Sequence, residues 1–308
     1  VQDWQRSNPS SIDRTLQRSL ALPGGGWVVV ARSTDVGRTA VVHRLTGQDF
    51  VVWRTRQGNV VVGRDGCPHM GASFDRAQVV GDCAVCPWHG LRVGPEGHPA
   101  FAATMAPTHD DGYLVWARLD ERLSEAPSDT PHVSQRPSTG IGVVVSTVAQ
   151  CEPRDVLANR LDPWHAKWFH SYAFSDIRIV SDTPEALSAE VSYRIRGRYL
   201  ARVIAEFTTP DPRTITMTIT EGEGQGSVVE THATPIDDTT TAIIELTIAT
   251  SDRSGFVYAQ RLAPIIKPIL AARQQRLWRD DAAYAERLYR VRTSASLTDK
   301  PTKKSRSK

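Results

Sequence analysis

The chain has 308 residues, enough for two domains or one large one, and its 40% hydrophobic and 23% charged composition is that of an ordinary globular protein. The formal charge of +3 is unevenly placed: Lys300, Lys303, Lys304, Arg306 and Lys308 stand against Asp299 at the C-terminal end, leaving the rest close to neutral and arguing against a nucleic-acid-binding face. No apolar run approaches the ~20 residues of a membrane span. The opening VQDWQRSNPS is polar and unlike a leader, so the expectation is a cytoplasmic protein.

In chain order, residues 1–24 form an N-terminal segment in which Ile12, Leu16 and Leu20 recur at helical spacing behind serines able to cap a helix. After PGGG come short β-branched runs (WVVVA, AVVHRL, FVVWRT, NVVVG, then GYLVWARL) punctuated by Gly, Asp or Asn, the pattern of a small all-β domain over 25–120. Residues 121–139 are polar and proline-bearing and read as a linker. From 140 to 293 the expectation is α+β: a helix over 154–170, antiparallel strands with one buried face between about 176 and 250, and a long helix over 256–292. Residues 294–308 read as a disordered basic tail.

Two clusters carry chemistry. The first is Cys67-x-His69 followed, sixteen residues on, by Cys86-x-x-His89, with glycines and prolines that suit tight loops. A zinc site usually pairs like with like, whereas each loop here offers one Cys and one His. That mixture fits a [2Fe–2S] cluster with two cysteines on one iron and two histidines on the other. Cys83 mimics half of a zinc site but would leave a fifth ligand, so it reads as a buried, inert thiol.

The second cluster is NRLDPWHAKWFH at 159–170, offering His165 and His170 as two ligands of a 2-His-1-carboxylate iron site. Five residues on one helix put side chains about 140° apart, so a wide turn is expected between them. Without the upstream cluster, Asp162 and the histidines would read as well as surface or capping residues. An electron-carrying cluster upstream favours a second, acceptor metal.

The segment CPHMGA…CPWHG resembles the Rieske domain of the ring-hydroxylating, non-haem iron oxygenases, over roughly residues 25–292. Ala72 and Trp88 stand where respiratory Rieske proteins place a disulfide, so that subclass does not fit. The N-x2-D-x2-H-x4-H pattern of the oxygenases is matched by Asn159, Asp162, His165 and His170, although Ala158 replaces the acid that often precedes it. The resemblance implies a helix-grip (START-like) catalytic domain with an antiparallel sheet and a long C-terminal helix. It implies Fe(II) on His165 and His170, a [2Fe–2S] cluster on Cys67, His69, Cys86 and His89, and O2 as cosubstrate. Asp162 would carry electrons from the cluster of a neighbouring subunit in a homotrimer. The third iron ligand would come from the late helix, where Asp280, Asp281 and Glu286 compete and the family register favours Asp281.

No dinucleotide fingerprint is present, so a separate reductase or ferredoxin would supply electrons. Strands over 190–250 and the helix over 256–275 would enclose an apolar pocket for a small hydrophobic, ring-bearing substrate, to be hydroxylated or O-demethylated. Arg194, Arg196, Arg198 and Arg202 would meet an acidic group or form the wet face of a strand. The competing functions are a Rieske electron carrier fused to a hydrophobic-ligand-binding domain, and a zinc-stabilised binding protein.

Overall fold

The computed structural model describes residues 8–196 and 199–298. The first seven residues, the Arg198 position and residues 299–308 of the expected tail lie outside them, as does the side chain of Arg196.

Helix α1 (Pro9–Leu20) starts at Asn8, not at a serine: the Asn8 side chain accepts from the Ser11 N–H at 3.3 Å, and Pro9 occupies the first turn, where its missing N–H costs nothing. The serines act sideways, Ser11 donating to Asp182 (2.6 Å) and Ser19 to the Asp211 carbonyl (3.1 Å).

The following β region holds β1 (Trp27–Arg32), β2 (Val41–Leu45), β3 (Gln48–Arg54), β4 (Val60–Arg64), β5 (Val79–Val80), β6 (Cys83–Val85), β7 (Arg92–Val93), β8 (Met105–Ala106), β9 (Thr108–Asp110) and β10 (Leu114–Arg118). They form three antiparallel sheets in the orders β1-β10-β9, β2-β3-β4-β8 and β5-β6-β7. The glycine before β1 is obligatory: Gly26 has φ +77°, and a Cβ there would lie 2.6 Å from the Asp120 backbone.

The short helix α2 (Asp120–Leu123) opens the linker, which is pinned on both sides rather than loose. Trp27 Nε1 donates to the Ser128 carbonyl (3.1 Å), Arg213 pairs with Glu125, and Arg136 bridges Asp111 (2.9 Å) and Glu230 (2.7 Å).

Beyond it come β11 (Ile141–Ala149), α3 (Pro153–Arg160), α4 (Trp164–Phe169), β12 (Phe174–Asp182), β13 (Ala186–Arg196), β14 (Tyr199–Asp211), β15 (Thr214–Gly222), β16 (Val228–Pro235), β17 (Thr241–Ala249), α5 (Phe256–Arg261) and α6 (Ala263–Thr298). The seven strands make one antiparallel sheet, β11-β17-β16-β15-β14-β13-β12, so that α3 and α4 carry the chain from one edge to the other. One face buries Val143, Ile243, Ala205 and Met217 against Trp278, Ala282 and Ala285 of α6 and Leu157 of α3.

The opposite face, at the β11–β17 end, buries Val144, Ile244, Leu246 and Ile248 against Trp27, Val29, Leu114 and Trp116. Strand β1 therefore has no wet face. Trp27 and Val29 point at the large sheet while Val28 and Val30 fill the β domain's own core, which is why it reads as a continuous apolar run.

Three expectations need correction. The helix over 154–170 is two helices, broken at Leu161–Pro163, because a proline disfavours helical backbone in the residue before it. The long helix divides at Leu262, and it continues to Thr298, so residues 294–298 are helical rather than tail.

Candidate metal centres

Cys67 follows β4 and Cys86 follows β6, and the two loops repeat one geometry. The Cys67 N–H donates to Ala72 O (2.7 Å) and the Gly71 N–H to Cys67 O (2.7 Å). Correspondingly, the Cys86 N–H donates to Leu91 O (2.8 Å) and the Gly90 N–H to Cys86 O (3.0 Å). Gly71 (φ +79°) and Gly90 (φ +72°) turn each loop back through the left-handed region. Both thiols are buried, in a core that includes Trp53, Phe74, Val79 and Ala84. Trp53 braces this core by donating Nε1 to the Asp82 carbonyl at 2.9 Å.

The imidazoles of His69 and His89 lie outside that core, exposed, with ring centroids 5.1 Å apart. The paired loops thus bring two buried thiols and two exposed imidazoles together, the donor mixture of a Rieske-type [2Fe–2S] cluster. Burial raises the Cys67 pKa; for Cys86 burial is outweighed by the N–H groups of His89 and Trp88, which hold it down. Cys83 is half-buried in β6, and Cys151 is fully buried with its thiol pushed up to about 12, so it is inert.

The second centre forms where α3, α4 and α6 meet. The break at Pro163 restarts the helix, placing His165 in the first turn of α4, while His170 is its C-cap, with non-helical φ −116° and ψ 43°. The two imidazoles thus converge without the wide helical turn expected from their spacing. His165 Nε2 lies 3.1 Å and His170 Nε2 2.8 Å from Asp281 Oδ1. Among the described residues these three form a group whose ligand atoms all lie within 4.8 Å of one another. His170 is 1% and Asp281 3% exposed. Burial opposes the charge on Asp281, yet its bonds to the two imidazoles hold its pKa far below the usual carboxylate range.

Surrounding bonds orient two of the three candidate ligands, His165 and Asp281. His165 Nδ1 is bonded to the Asp162 carbonyl, which leaves Nε2 as the free lone pair. Asn159 Nδ2 donates to Asp281 Oδ1 at 3.1 Å, and its own Oδ1 is buried without a partner. Asp280, the competing acid, accepts from the Tyr172 hydroxyl (2.8 Å) and lies 3.5 Å from His170 Nδ1, behind the ring rather than beside Nε2, and Glu286 accepts from the Gln150 N–H (3.1 Å) on another side of α6. Asp162 is 8% exposed, its carboxylate held by the Trp164 N–H (3.2 Å) and the Tyr284 hydroxyl (3.1 Å). Tyr172 and Tyr284 were not legible as site residues; the only signal was that Tyr284 falls one turn beyond Asp281.

Beside the triad lies a small cavity of about 60 Å³ walled by Phe174, Ile177, Val191, Phe207, Met217 and Leu277, with Arg160 and Tyr193 as polar members. The helix over 256–275 contributes nothing to this wall: α6 first reaches it at Leu277, a correction to the expected enclosure. Arg194 gives its Nε to the Ser171 carbonyl (2.9 Å) and Arg202 is exposed, so neither lines the cavity. On its other side Asp162 faces an open groove of about 420 Å³ between α1, the α3–α4 break and β12–β13.

Residues 26–110 match the Rieske [2Fe–2S] domain family, and residues 122–296 match the family described as domain of unknown function DUF5914. The oxygenase component of chloroacetanilide N-alkylformylase from Rhizorhabdus wittichii is 22% identical over 191 residues, 56% of this chain and 53% of that protein. This chain spans about half the length of the curated relatives it matches. The crystal structure of dicamba monooxygenase bound to dicamba is similar over 92% of both chains, with TM-score 0.69 and 16% identity. The oxygenase in a complex with ferredoxin, from carbazole 1,9a-dioxygenase, is similar over 96% of this chain and 90% of that one, with TM-score 0.59 and 13% identity. With a Rieske domain packed on a seven-stranded sheet in the fold of the Rieske oxygenases, the chain belongs to the DUF5914 family.

Proposed function

We propose that this chain is the oxygenase component of a Rieske non-haem iron system, using O2 and externally supplied electrons to hydroxylate or O-demethylate a hydrophobic, ring-bearing substrate. The observation that carries the reading is the convergence of His165, His170 and Asp281 in a chain that also presents Cys67, His69, Cys86 and His89 on paired loops. An electron carrier with a binding pocket would have no use for the second set.

In this reading Cys67, His69, Cys86 and His89 hold a [2Fe–2S] cluster, and His165, His170 and Asp281 hold ferrous iron. When bound, the cluster supplies single electrons and the ferrous ion supplies the open positions at which O2 is activated. The protein's own part is positional. The Asp162 carbonyl fixes the His165 tautomer, Asn159 keeps the Asp281 carboxylate turned towards the histidines, and the apolar wall keeps water from the reacting face. The cavity has room for only a few water molecules as it stands, so a ring must displace lining side chains on binding.

Asp162 stands between the cavity and the open surface groove, lining both. That position suits a carboxylate relaying electrons from a Rieske histidine of a neighbouring copy seated in the groove. It supports a homotrimer in which each cluster serves the next subunit's iron. Electrons would reach the cluster from a separate reductase or ferredoxin, the latter as in the carbazole dioxygenase complex.

The test is single turnover: the chain is loaded with iron, reduced and mixed with 18O2 in the presence of a panel of aromatic and polycyclic compounds. The proposal expects oxidation of the cluster coupled to 18O in a product or to release of a methyl group as formaldehyde. Cluster oxidation at the same rate with and without ferrous iron, and no product, would return the chain to an electron carrier.

A further inference from the structure

Arg160 is the last residue of α3, just before the break that lets His165 and His170 converge, and it lines the cavity beside them. Among the described residues of that wall it is the one Lys or Arg. A guanidinium keeps its charge in any protein environment, and a charge drawn out of water needs a partner. The Arg160 side chain is only 20% exposed, and its Nε is buried with no hydrogen-bond partner.

The carboxylate facing it meets that need only in part. Glu245 of β17 lies 3.7 Å from an Arg160 terminal nitrogen, beyond hydrogen-bond reach. Glu245 is held instead by the Thr231 hydroxyl (3.2 Å) and the Gln274 side-chain amide (3.4 Å). Burial raises its pKa in spite of Arg160 and of bonds from Trp278 and Thr231, which weakens it as a counter-charge. The other carboxylates of the wall are engaged: Asp162 accepts from the Trp164 N–H and the Tyr284 hydroxyl, and Asp281 faces Asn159 and the two histidines. The guanidinium itself is steadied over the buried Trp278 ring, 5.7 Å from its centroid. Tyr193 adds a phenol to the same wall, and burial raises its pKa, so it remains a donor.

A largely apolar wall with one fixed, under-paired guanidinium suits an apolar body that carries one anionic group. We propose that the substrate is a ring-bearing carboxylic acid whose carboxylate is bound by Arg160, with Tyr193 as a second donor. Arg160 is then a specificity-determining residue rather than a structural partner of Glu245 alone. The proposal rests on the oxygenase reading only in taking this cavity as the substrate's. A neutral carbonyl would satisfy the Nε donor but leave the charge unmatched, so an acid set against its own amide is the deciding comparison.

Isothermal titration calorimetry tests it on the cluster-loaded full chain, kept oxidised so that nothing turns over. The probes are matched pairs: benzoate and benzamide, 2-naphthoate and 2-naphthamide, indole-3-carboxylate and indole-3-carboxamide. The proposal expects at least one acid to bind, and to bind at least about tenfold more tightly than its amide. Arg160→Gln should weaken that acid at least about thirtyfold and erase the preference. Arg160→Lys, which keeps the charge but not the fork, should fall between. Should Arg160→Gln fail to fold because Glu245 is left alone, Arg160→Gln/Glu245→Gln leaves no unpaired charge and carries the same expectation. Acid and amide bound alike, no acid bound in any pair, or acid binding unaltered without Arg160 overturns the proposal. A chain that binds the acids through Arg160 yet forms no product under 18O2 would uphold it and sink the oxygenase reading.

Discussion

The Tyr284 hydroxyl reaches the Asp162 carboxylate at 3.1 Å from a position one turn beyond Asp281 on the same helix. One helix thus presents the carboxylate proposed as an iron ligand and the group that holds the carboxylate proposed to relay electrons. The Tyr284 ring also lies 5.0 Å from that of His165. Burial raises the Tyr284 pKa, as does its bond to Asp162, so it stays protonated and donates throughout the working range.

Tyr284→Phe removes this bond while keeping the ring. A buried hydrogen bond to a charged group is worth roughly 1.5–3 kcal/mol, so oxidation of the reduced cluster by O2 should slow by about tenfold or more at unchanged iron content. Rapid-mixing absorbance at the cluster bands measures it. Loss of mononuclear iron in the variant would instead assign Tyr284 to the ligand shell.

Asp281 and Asp280 are neighbours with opposite surroundings. Asp281→Asn should abolish the third iron and leave the cluster intact, whereas Asp280→Asn, which alters the bond from Tyr172 and the 3.5 Å contact with His170 Nδ1, should retain it at reduced affinity. Metal analysis of the two variants after ferrous loading decides between them. Equal loss in both would mean that the carboxylates share the ligand role.

Asn159 touches Asp281 rather than either histidine. Its replacement by Ala removes an orienting hydrogen bond, and such partners typically change metal affinity by about 10–100-fold. Titration of the iron-free protein with Fe(II) should show weaker binding with unaltered cluster absorbance.

At the junction between the two domains, Arg136 grips Glu230 with two bonds of 2.7 Å while His232 lies 3.3 Å from the same carboxylate. Burial opposes the charge on Glu230, but Arg136 and His232 lower its pKa to about 2 from an ordinary 4.5. A depressed carboxylate stabilises the fold fully above its unfolded pKa and loses that contribution as pH falls to the folded one. Stability should therefore drop between about pH 4.5 and 2, by on the order of 3 kcal/mol from this group. Denaturant melts across that range should show a shallower acid loss in Glu230→Gln, from a lower starting stability. An identical acid slope in wild type and variant would dissociate Glu230 from the effect.

Legibility from sequence followed the range of the interactions. The paired loops were readable because Cys-Pro-His and Cys-Pro-Trp-His carry ligand and turn chemistry within a few residues. His165 and His170 were readable for the same reason. Pro163 was equally visible, and weighing its effect on Asp162 would have placed the helix break that lets the histidines converge. Tyr172 and Tyr284 depend on contacts more than a hundred residues apart in sequence, which no local pattern encodes. The same is true of the face shared by Trp27, Trp116 and Leu246. The exposed start of α6 was misread as pocket wall because its apolar spacing is that of a packed helix; only the fold shows that the sheet lies elsewhere.

The most direct test of the two-centre account is iron and acid-labile sulfide per chain, with a visible spectrum, on anaerobically prepared protein. The account predicts about three irons and two sulfides with a Rieske-type absorbance. Two irons and two sulfides, with no gain on adding Fe(II), would contradict it, leaving His165, His170 and Asp281 without a metal and the chain without an oxygenase centre.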